Sequence, residues 1–498
     1  MRIIDILIVL AYLIGVAAVT LKVSRRQRNK EDYIMAGRNM HWFPLALSGV
    51  AAGFSAISLL GAPGFVMSED MKYLPTLFLG LLSVPVIYYL VVPFLYKLRL
   101  VSVYSYLGTR FCPAIRYVAS ALFMISKLGY LAMSIFTPSL ALSAVTGLPI
   151  ELFIIILGVA TCFYTMLGGM TAVVWTDVMQ YFIIILGIGG AVCFFMFGTD
   201  GSAGEYWRVA VEAGKTKMFD FSWDLGALSV WVIFINGTIL GVASTCSSQD
   251  AVQRLCSAKS LGDSMKSFLF SIIFGTPIVL VLYLIGAWLY GFFQTQAVLP
   301  PELAGQSDRV FPYFIAHYMP VGVAGVLMAG ILAAGMSTIS VVMHSLTSVF
   351  MVDVYEKFAK CDADSPRYVR TSRIVTCVWG ALAVLGAFYV MLLGNNIIEV
   401  TQTITGFTGA TLGGIFLLGI FTRRTNSVGV LCGCIAGIVL TVGSWYLNKM
   451  GIYKINFMWY GVFGIAGTCI VGYVASWLSA PPSAEQLSGF DDAKEVEK

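Results

Sequence analysis

The chain of 498 residues contains thirteen apolar segments, and each approaches or exceeds the ~20 residues that a helix needs to cross a bilayer. Hydrophobic residues make up 58% of the sequence and charged residues only 11%, whereas a soluble protein carries about 25% charged residues. Apolar runs of this length also differ from the short alternating strands of a membrane β-barrel. The sequence therefore predicts an all-α polytopic membrane protein, with spans at 3–24, 44–67, 73–97, 113–145, 150–168, 171–198, 226–248, 265–294, 320–354, 372–394, 397–421, 426–446 and 456–480.

Lysine and arginine are distributed unevenly between the loops that connect these segments. If the N-terminus is outside, 22 of the 31 positive residues fall on the inner side and eight on the outer side, and Lys127 alone lies within a span. Because positive residues collect on the cytoplasmic side of membrane proteins, we expect an outside N-terminus and a cytoplasmic C-terminus. The expected location is the plasma membrane, as the inner membrane of a bacterium. This topology accounts for the net charge of +5 without a nucleic-acid partner.

Hydroxyl side chains interrupt the ninth apolar segment at Ser337, Thr338 and Ser340. Hydrocarbon cannot satisfy them at this depth, so they must face protein, a cavity or an ion. Oxygen ligands of this kind suit a small hard cation such as sodium. In the alternative interpretation, each hydroxyl bonds only to a carbonyl of its own helix, which is the common behaviour of serine and threonine.

Two stretches within predicted spans, 48–58 and 236–245, are dense in glycine, serine and alanine. Secondary transporters bind substrate where one span of each repeat is interrupted, and glycine weakens a helix by about 1 kcal/mol relative to alanine. Small residues also allow close packing of helices, which is the alternative. Because the two stretches open two five-span blocks, spans 2–6 and 7–11, we expect both helices to be interrupted.

Other function classes find little support in the sequence. The three histidines, His41, His317 and His344, are isolated and form no metal-binding or catalytic pattern, so we expect no enzymatic activity. A channel needs a charged ring or a repeated filter loop, and the sequence shows neither. A proton-coupled carrier is the remaining alternative, with His344 in the ninth span as its candidate group.

Five strings resemble the sodium/solute symporter family, whose members carry sugars, sialic acid, proline, monocarboxylates, vitamins and iodide. They are DYIMAGRNM (32–40), YTMLGGMTAVVWTDVMQ (164–180), SSQDAVQR (247–254), GILAAGMSTISVVMHSLTSVFMVDVY (330–355) and FLLGIFTRRTNSVG (416–429). The resemblance extends over about residues 5–480 in the same order. It implies a leucine-transporter-type fold of 5+5 inverted repeats, with about thirteen transmembrane helices as in the sialic acid branch. It also implies sodium-coupled import of a small solute by alternating access.

This fold divides the chain into six parts. They are a first helix with a cytoplasmic loop (1–43), core repeat 1 (44–198), an extracellular loop (199–225), core repeat 2 (226–422), two C-terminal helices (423–482) and a disordered cytoplasmic tail (483–498). The tail is short and acidic, a composition that is typical of disorder.

The resemblance also assigns residues to ion sites. The main sodium ion (Na+) is expected between the first and eighth core spans. Its ligands would be the carbonyls of Ala51, Phe54 and Ala334 and the hydroxyls of Ser337 and Thr338. Some members hold a second sodium, which maps here to Asp177 and Ser340, although Val341 stands where the family has a serine. A carboxylate within an apolar span is costly and usually functional, and the alternative for Asp177 is a structural bond to a hydroxyl or a helix end.

Four positions match residues that contact substrate in the sialic acid and sugar branches. They are Ser55, Ser58, Tyr73 and Gln402. Tyr73 alternatively is an interfacial aromatic residue, and Gln402 alternatively bridges two helices. Members of the sialic acid branch bind their substrate with an arginine and a glutamine. Tyr130 and Leu77 stand at these positions here, which argues against a sialic acid site of the same design.

Lys127 lies one turn before Tyr130 on the same helix face. A cation within a span demands a partner, which would be a substrate carboxylate, or Asp177 or Glu399 in a structural ion pair. In the first case the cargo is a small organic anion, which is either sialic-acid-like or like the solutes of the monocarboxylate and vitamin branch; a neutral sugar is the alternative. The expected partners are therefore a small solute and membrane lipid, with no nucleic acid and no obligate protein partner.

Overall fold

A computed structural model describes residues 2–24, 29–303, 305–359, 366–392, 397–484 and 486–487, and among them every regular element is a helix. The principal helices are α1 (Ile3–Ser24), α2 (Trp42–Gly53), α3 (Ala56–Ser68), α4 (Pro75–Lys97), α5 (Pro113–Thr146), α6 (Ile150–Phe197), α7 (Ala203–Glu212), α8 (Val230–Ser247), α9 (Gln249–Cys256), α10 (Leu261–Thr295), α11 (Ser307–His317), α12 (Val323–Phe358), α13 (Pro366–Met391), α14 (Ile397–Phe421), α15 (Ser427–Lys449) and α16 (Phe457–Trp477). Short helices at Lys30–Met35 and Tyr104–Arg110 lie in the connections.

Most of the predicted spans coincide with long apolar helices, whereas the described apolar part of α14, Thr405–Phe421, is shorter than a full crossing. Within the described residues, ten helices are long and apolar enough to cross a membrane, and the bent pair α2–α3 adds an eleventh crossing. Helix α6 has 48 residues, which is about 72 Å at 1.5 Å per residue and more than twice the ~30 Å thickness of the hydrocarbon. Its backbone turns at Gly169, with φ 53° and ψ −170°, so α6 is long enough for the two spans predicted at 150–168 and 171–198.

Helices α2 and α3 form one span that is bent by 50°. Helix α2 ends at Gly53, Phe54 has non-helical dihedrals (φ −101°, ψ 78°), and α3 begins after Ser55. The interruption predicted within 48–58 is confirmed. Because α2 stops here, the carbonyls of its last turn lack the amide partners that a continuing helix would supply.

The second predicted interruption, within 236–245, is wrong. Helix α8 widens into a π-helical turn at Asn236–Leu240 and leaves helical geometry only at Ser248 (φ −87°, ψ 107°), before α9. The small residues serve close packing instead, since a Cβ added at Gly237 would lie 2.9 Å from the backbone nitrogen of Gly80. Here the structure follows the packing alternative, and the π turn is a local distortion of a kind often found at functional sites.

Helix α12 runs through the centre of the bundle. It contacts α1, α2, α3, α5, α6 and α13, and 94% of its most apolar window is buried inside the protein. At the periphery, α15 packs against α16, and both pack against α14. The hydroxyls of α12 therefore face protein and not lipid, as the sequence predicted.

Loop contacts join the helix ends on the side that the charge bias predicts to be extracellular. The ammonium of Lys72 lies 3.3 Å from a carboxylate oxygen of Asp70 and 3.3 Å from one of Asp220. Lys215 Nζ donates to three carbonyls at the C-terminus of α3, at 2.9–3.2 Å. A cation at a helix C-terminus complements the helix dipole, so this loop fixes the outer end of α3. The predicted tail, 483–498, lies outside the described residues except at 483–484 and 486–487.

Candidate functional site

The interrupted end of α2 lies against the polar turn of α12. The Ser337 hydroxyl donates to the carbonyl of Ala51 at 2.8 Å, and its Oγ is 3.0 Å from the carbonyl oxygen of Ala334. Thr338 Oγ1 is 3.2 Å from the carbonyl oxygen of Ala52 and 3.1 Å from that of Ala334. Both hydroxyl side chains are buried. Carbonyls from a helix that has ended and hydroxyls from its neighbour therefore form one cluster of oxygens.

The composition and spacing of this oxygen cluster fit a hard cation. Ligands that surround a hard cation at roughly 2.3–2.6 Å lie about 3 Å from one another, which is the spacing among these oxygens. A hydroxyl has two acceptor lone pairs and can turn its proton away from an ion. Four predicted sodium ligands, Ala51, Ala334, Ser337 and Thr338, are brought together, and the fifth, Phe54, is the residue at the bend. The Ala52 carbonyl is an addition that the sequence did not predict.

Asp177 approaches the same region from α6. Its carboxylate is buried, and Oδ2 accepts a 2.6 Å hydrogen bond from Ser48 Oγ of α2. Oδ1 has no hydrogen-bond partner among the described residues. Ser340 Oγ donates to the Ser337 carbonyl of its own helix at 2.9 Å. Asp177 thus has the hydroxyl partner that its structural alternative predicted, and a sodium shared with Ser340 stays a prediction.

Three residues that the sequence analysis did not single out surround this turn of α12. The Tyr164 hydroxyl of α6 donates to the carbonyl of Met336 at 2.7 Å. Gln180 Nε2 donates to the Tyr12 hydroxyl at 3.1 Å, and that hydroxyl lies 3.5 Å from the sulfur of Met336. These contacts fix the polar turn in place from α1 and α6. Tyr164 and Gln180 are the first and last residues of the family string at 164–180, but the string alone does not indicate that they contact α12.

A cavity of about 720 Å³ lies between α4, α5, α8, α10, α14 and α16. This volume is in the range of small-molecule sites, about 300–1,000 Å³. Lys127, Tyr130 and Leu77, which the sequence analysis singled out, all line it. Other polar groups on the wall come from Thr76, Ser83, Ser126, Asn236, Ser244, Thr245, Ser247, Ser248, Thr276 and Thr405. Lys127 is the only charged residue among the described residues that line the cavity.

Ser55 lies at the bend between α2 and α3, and its side chain lies near that of Tyr130 on the cavity wall. Ser58 lies one turn further along, in the first turn of α3, where its amide bonds to the Ser55 carbonyl at 3.0 Å, and it does not line the cavity. The structure therefore brings Ser55, Tyr130 and Lys127 into one neighbourhood and leaves Ser58 outside it.

Tyr73 belongs to an aromatic group instead of the cavity wall. Its ring centroid lies 5.7 Å from that of Phe65 and 6.3 Å from that of Phe457. The interfacial alternative from the sequence stays a prediction. The side chain of Gln402, the last predicted substrate residue, lies outside the described residues.

Lys127 pairs with a residue that the sequence analysis did not consider. Its Nζ is 2.8 Å from Oδ1 of Asp250, near the start of α9. Asp177, one predicted partner, bonds to Ser48 instead, and the side chain of Glu399, the other, lies outside the described residues. The sequence could not predict this pair because it forms only when the chain turns after α8 and carries Asp250 to α5.

Comparison with known proteins identifies the family. Residues 33–437, which include the α2–α3 bend and the polar turn of α12, match the family model described as "Sodium:solute symporter family". The chain belongs to the sodium:solute symporter family. It is 29% identical over 470 residues to the sodium/sialic acid symporter NanT of Aliivibrio fischeri, with 94% of this chain and 91% of that protein covered. It is 27% identical over 420 residues to the sodium-coupled monocarboxylate transporter 1 of Homo sapiens, with 84% and 68% covered.

The fold also resembles that of a solved family member. A Na+-coupled sialic acid symporter, determined in a substrate-bound outward-open state, superposes with a TM-score of 0.87. It is 27% identical, and the match covers 97% of this chain and 99% of that one. The chain is therefore a multi-pass membrane protein with the leucine-transporter-type fold, and its activity is sodium-coupled solute symport.

Proposed function

We propose that this symporter imports a small organic anion together with sodium across the plasma membrane, with its N-terminus outside and its C-terminus in the cytoplasm. The observation that carries the proposal is a solute-sized cavity whose wall holds one cationic group, Lys127. Tyr130 on the same wall lies near Ser55, beside the bend between α2 and α3. The cavity is thereby connected to the helix end that contributes to the oxygen cluster.

Sodium binds, in this proposal, to the carbonyls of Ala51, Phe54 and Ala334 and to the hydroxyls of Ser337 and Thr338. These ligands come from α2 and α12, so the ion stabilises the arrangement in which α2 ends beside the polar turn. All five ligands are neutral oxygens. We expect such a site to bind sodium loosely, so that it fills at high external concentration and empties inside, as coupling requires.

The residues near Asp177 support a second sodium less fully than the oxygen cluster supports the first. The Asp177 carboxylate oxygen without a hydrogen-bond partner supports a further cation near Ser340. Val341 opposes it, because an aliphatic side chain replaces an oxygen ligand there. Counting the charge carried per solute decides between one ion and two.

Lys127 supports an anionic cargo, because an ammonium on the cavity wall binds a carboxylate more strongly than it binds a neutral hydroxyl. The sialic acid and monocarboxylate relatives are named for solutes that carry a carboxylate, which supports the same class here. Tyr130 and Leu77 replace the two polar residues of the sialic acid branch, so we favour a smaller monocarboxylate- or vitamin-like solute. A neutral sugar is the second candidate, favoured by the pairing of Lys127 with Asp250, which neutralises the cavity wall.

In the transport cycle, sodium binds first and shapes the bend of α2, and the solute then binds beside it. Closure of the outer side and opening of the inner side release both. The two ligands favour each other's binding by a coupling free energy, which is reciprocal by thermodynamic necessity. The inward sodium gradient thereby drives the solute uphill.

The test is uptake by purified protein in proteoliposomes, with lactate, sialic acid and glucose as separate solutes. External sodium is replaced by choline at fixed pH, and a pH gradient is applied separately to detect proton coupling. We expect uptake of a carboxylate solute to require sodium. Equal uptake in choline, or uptake driven by the pH gradient alone, would contradict the proposal.

The charge of the cargo is tested with Lys127→Gln. This change should weaken binding of the transported carboxylate far more than binding of its amide analogue, because only the carboxylate loses an ion pair. Lys259→Gln, which alters a more exposed lysine outside the cavity wall, is the matched control. If Lys127→Gln weakens binding of the carboxylate and of the amide equally, Lys127 has a structural role. That result would favour a neutral solute.

A further inference from the structure

Lys127 already has a carboxylate partner inside the protein. Its Nζ lies 2.8 Å from Asp250 Oδ1, and 5.5 and 5.8 Å from the ring centroids of Tyr130 and Phe123. The carboxylate and the two rings therefore surround the ammonium on several sides. Rings at this distance attract a cation by themselves. If Asp250 moves away, the ammonium can remain at the cavity wall and accept another carboxylate.

Asp250 occupies a place that a solute can reach. Its side chain is 21% exposed, and that of Lys127 is 19% exposed. Ser248, which lines the cavity, donates a 2.6 Å hydrogen bond to Asp250 Oδ1. The pair thus stands at the edge of the cavity, and a solute carboxylate placed there would form the same ion pair with Lys127.

A second cation lies within reach of Asp250. Arg254 is four residues further along α9, on the same helix face. It interacts electrostatically with Asp250 and with Asp177. Its Nε and Nη2 are buried and have no hydrogen-bond partner among the described residues. Because buried donors without acceptors are costly, a displaced Asp250 would gain a partner when it turned towards Arg254.

We propose that Asp250 is an internal substitute for the carboxylate of the cargo. It neutralises Lys127 while the cavity is empty and yields Lys127 when an anionic solute binds, which makes Asp250 the residue that sets the preference for anions over neutral solutes. When displaced, Asp250 turns to Arg254 and weakens the electrostatic attraction between Arg254 and Asp177. The charge of the cargo is thereby communicated to the cation-binding region of α6. This inference rests on the proposed function, whose cavity and cargo class it refines.

The experiment is a chemical rescue of Asp250→Asn, which leaves Lys127 without its internal carboxylate. The purified full-length variant is titrated with acetate, with propionate and with acetamide in constant sodium, and its melting temperature is followed. We expect both carboxylates to stabilise the variant at concentrations at least ~10-fold below those that affect the wild type, which corresponds to about 1.4 kcal/mol. Acetamide has the shape of acetate without its charge and should have no effect.

Two further variants assign the effect to Lys127. In the double variant Asp250→Asn with Lys127→Met, the response to acetate should disappear, because the ammonium is gone. Glu212→Gln, which removes the carboxylate of an exposed ion pair with Arg208, should respond to acetate as the wild type does. If Asp250→Asn does not fold, Ser248→Ala keeps every charge and removes only the hydrogen bond that holds Asp250, and it should lower the effective acetate concentration relative to the wild type.

The proposal is overturned if acetate and acetamide act alike, if neither Asp250→Asn nor Ser248→Ala responds at lower acetate concentrations than the wild type, or if the response survives the loss of Lys127. These measurements involve no transport. A carboxylate response without sodium-driven uptake would retain this inference and remove the proposed function. Sodium-driven uptake without any carboxylate response would retain sodium symport and remove this inference.

Discussion

Replacing Thr338 by valine tests the proposed sodium site with little change in side-chain shape. Thr338 is only 1% exposed, and valine differs from threonine chiefly by a methyl group in place of the hydroxyl. That hydroxyl lies 3.2 Å from the Ala52 carbonyl oxygen on α2 and 3.1 Å from the Ala334 carbonyl oxygen on α12. The substitution therefore removes one oxygen from the cluster and one contact between the two helices.

The free-energy cost of Thr338→Val differs between the sodium-free and the sodium-bound protein. Without sodium, Thr338→Val loses one hydrogen bond between α12 and α2, which contributes about 1 kcal/mol. With sodium, it loses one of five proposed ligands. Hydrogen bonds to charged groups contribute about 1.5–3 kcal/mol, and we assign the same range to a contact between a hydroxyl and the ion. The sodium affinity changes by the difference between these two losses, about 0.5–2 kcal/mol. At about 1.4 kcal/mol per factor of ten, the sodium concentration for half-maximal uptake should rise about 2- to 30-fold.

The assay measures initial uptake against external sodium, together with the melting temperature with and without sodium. Thr338→Ser keeps the hydroxyl and should keep a sodium midpoint close to that of the wild type. Ser345→Ala is the matched control, because the buried Ser345 hydroxyl of α12 bonds within its own helix, to the Val342 carbonyl at 2.8 Å. An unchanged midpoint in Thr338→Val, or an equal rise in Ser345→Ala, would refute the assignment.

Two changes away from the ion ligands test the surrounding fold. The buried Asp353 carboxylate accepts from Arg116 Nε at 2.8 Å and from two serine hydroxyls, so Asp353→Asn should lower the free energy of unfolding by about 3–5 kcal/mol. Melting curves check this, and a loss no larger than that of Glu212→Gln at an exposed pair would contradict it. A Cβ added at Gly291 of α10 would lie 2.4 Å from Cα of Tyr206, so Gly291→Ala should displace α7 at a cost of about 1–3 kcal/mol. Faster proteolysis within 199–225 with an unchanged sodium midpoint is the expected result, and unchanged proteolysis would argue against that close contact.

The helical architecture could be predicted because the bilayer imposes strict conditions on the sequence. A span must be about 20 apolar residues long, and a hydroxyl at that depth must find a partner. Together with the small-residue composition of 48–58, these conditions predict an interrupted helix there and a polar turn at Ser337 and Thr338 that faces protein, a cavity or an ion. The family resemblance then joined the two into one predicted ion site.

The remaining features depend on information that local sequence does not carry. Small residues both interrupt helices and permit close packing, so the composition of 236–245 could not reveal that Gly237 packs against Gly80 while α8 stays helical. The pair of Lys127 and Asp250 joins residues far apart in the chain. It arises from the turn at Ser248, and no periodicity or motif in the sequence reports that turn.

The charges of the two proposed ligand sites make the transport stoichiometry measurable as a voltage effect. The oxygen cluster is neutral, and Lys127 with Asp250 is neutral as a pair. One sodium and one monovalent anion therefore add no net charge, which reduces the cost of enclosing both at low dielectric. A neutral sugar, or a second sodium at Asp177, would leave one excess positive charge in the loaded protein.

One net charge is worth about 2.3 kcal/mol per 100 mV, or roughly a 50-fold change in the accumulation ratio. Uptake against an imposed potassium diffusion potential distinguishes the cases. With one sodium per monovalent anion, accumulation should not depend on the potential. A 50-fold dependence for a carboxylate solute would require the second ion, and Asp177→Asn should then abolish that dependence while sodium-driven uptake continues. A dependence that persists in Asp177→Asn would place the excess charge elsewhere and contradict the assignment of a second sodium to Asp177.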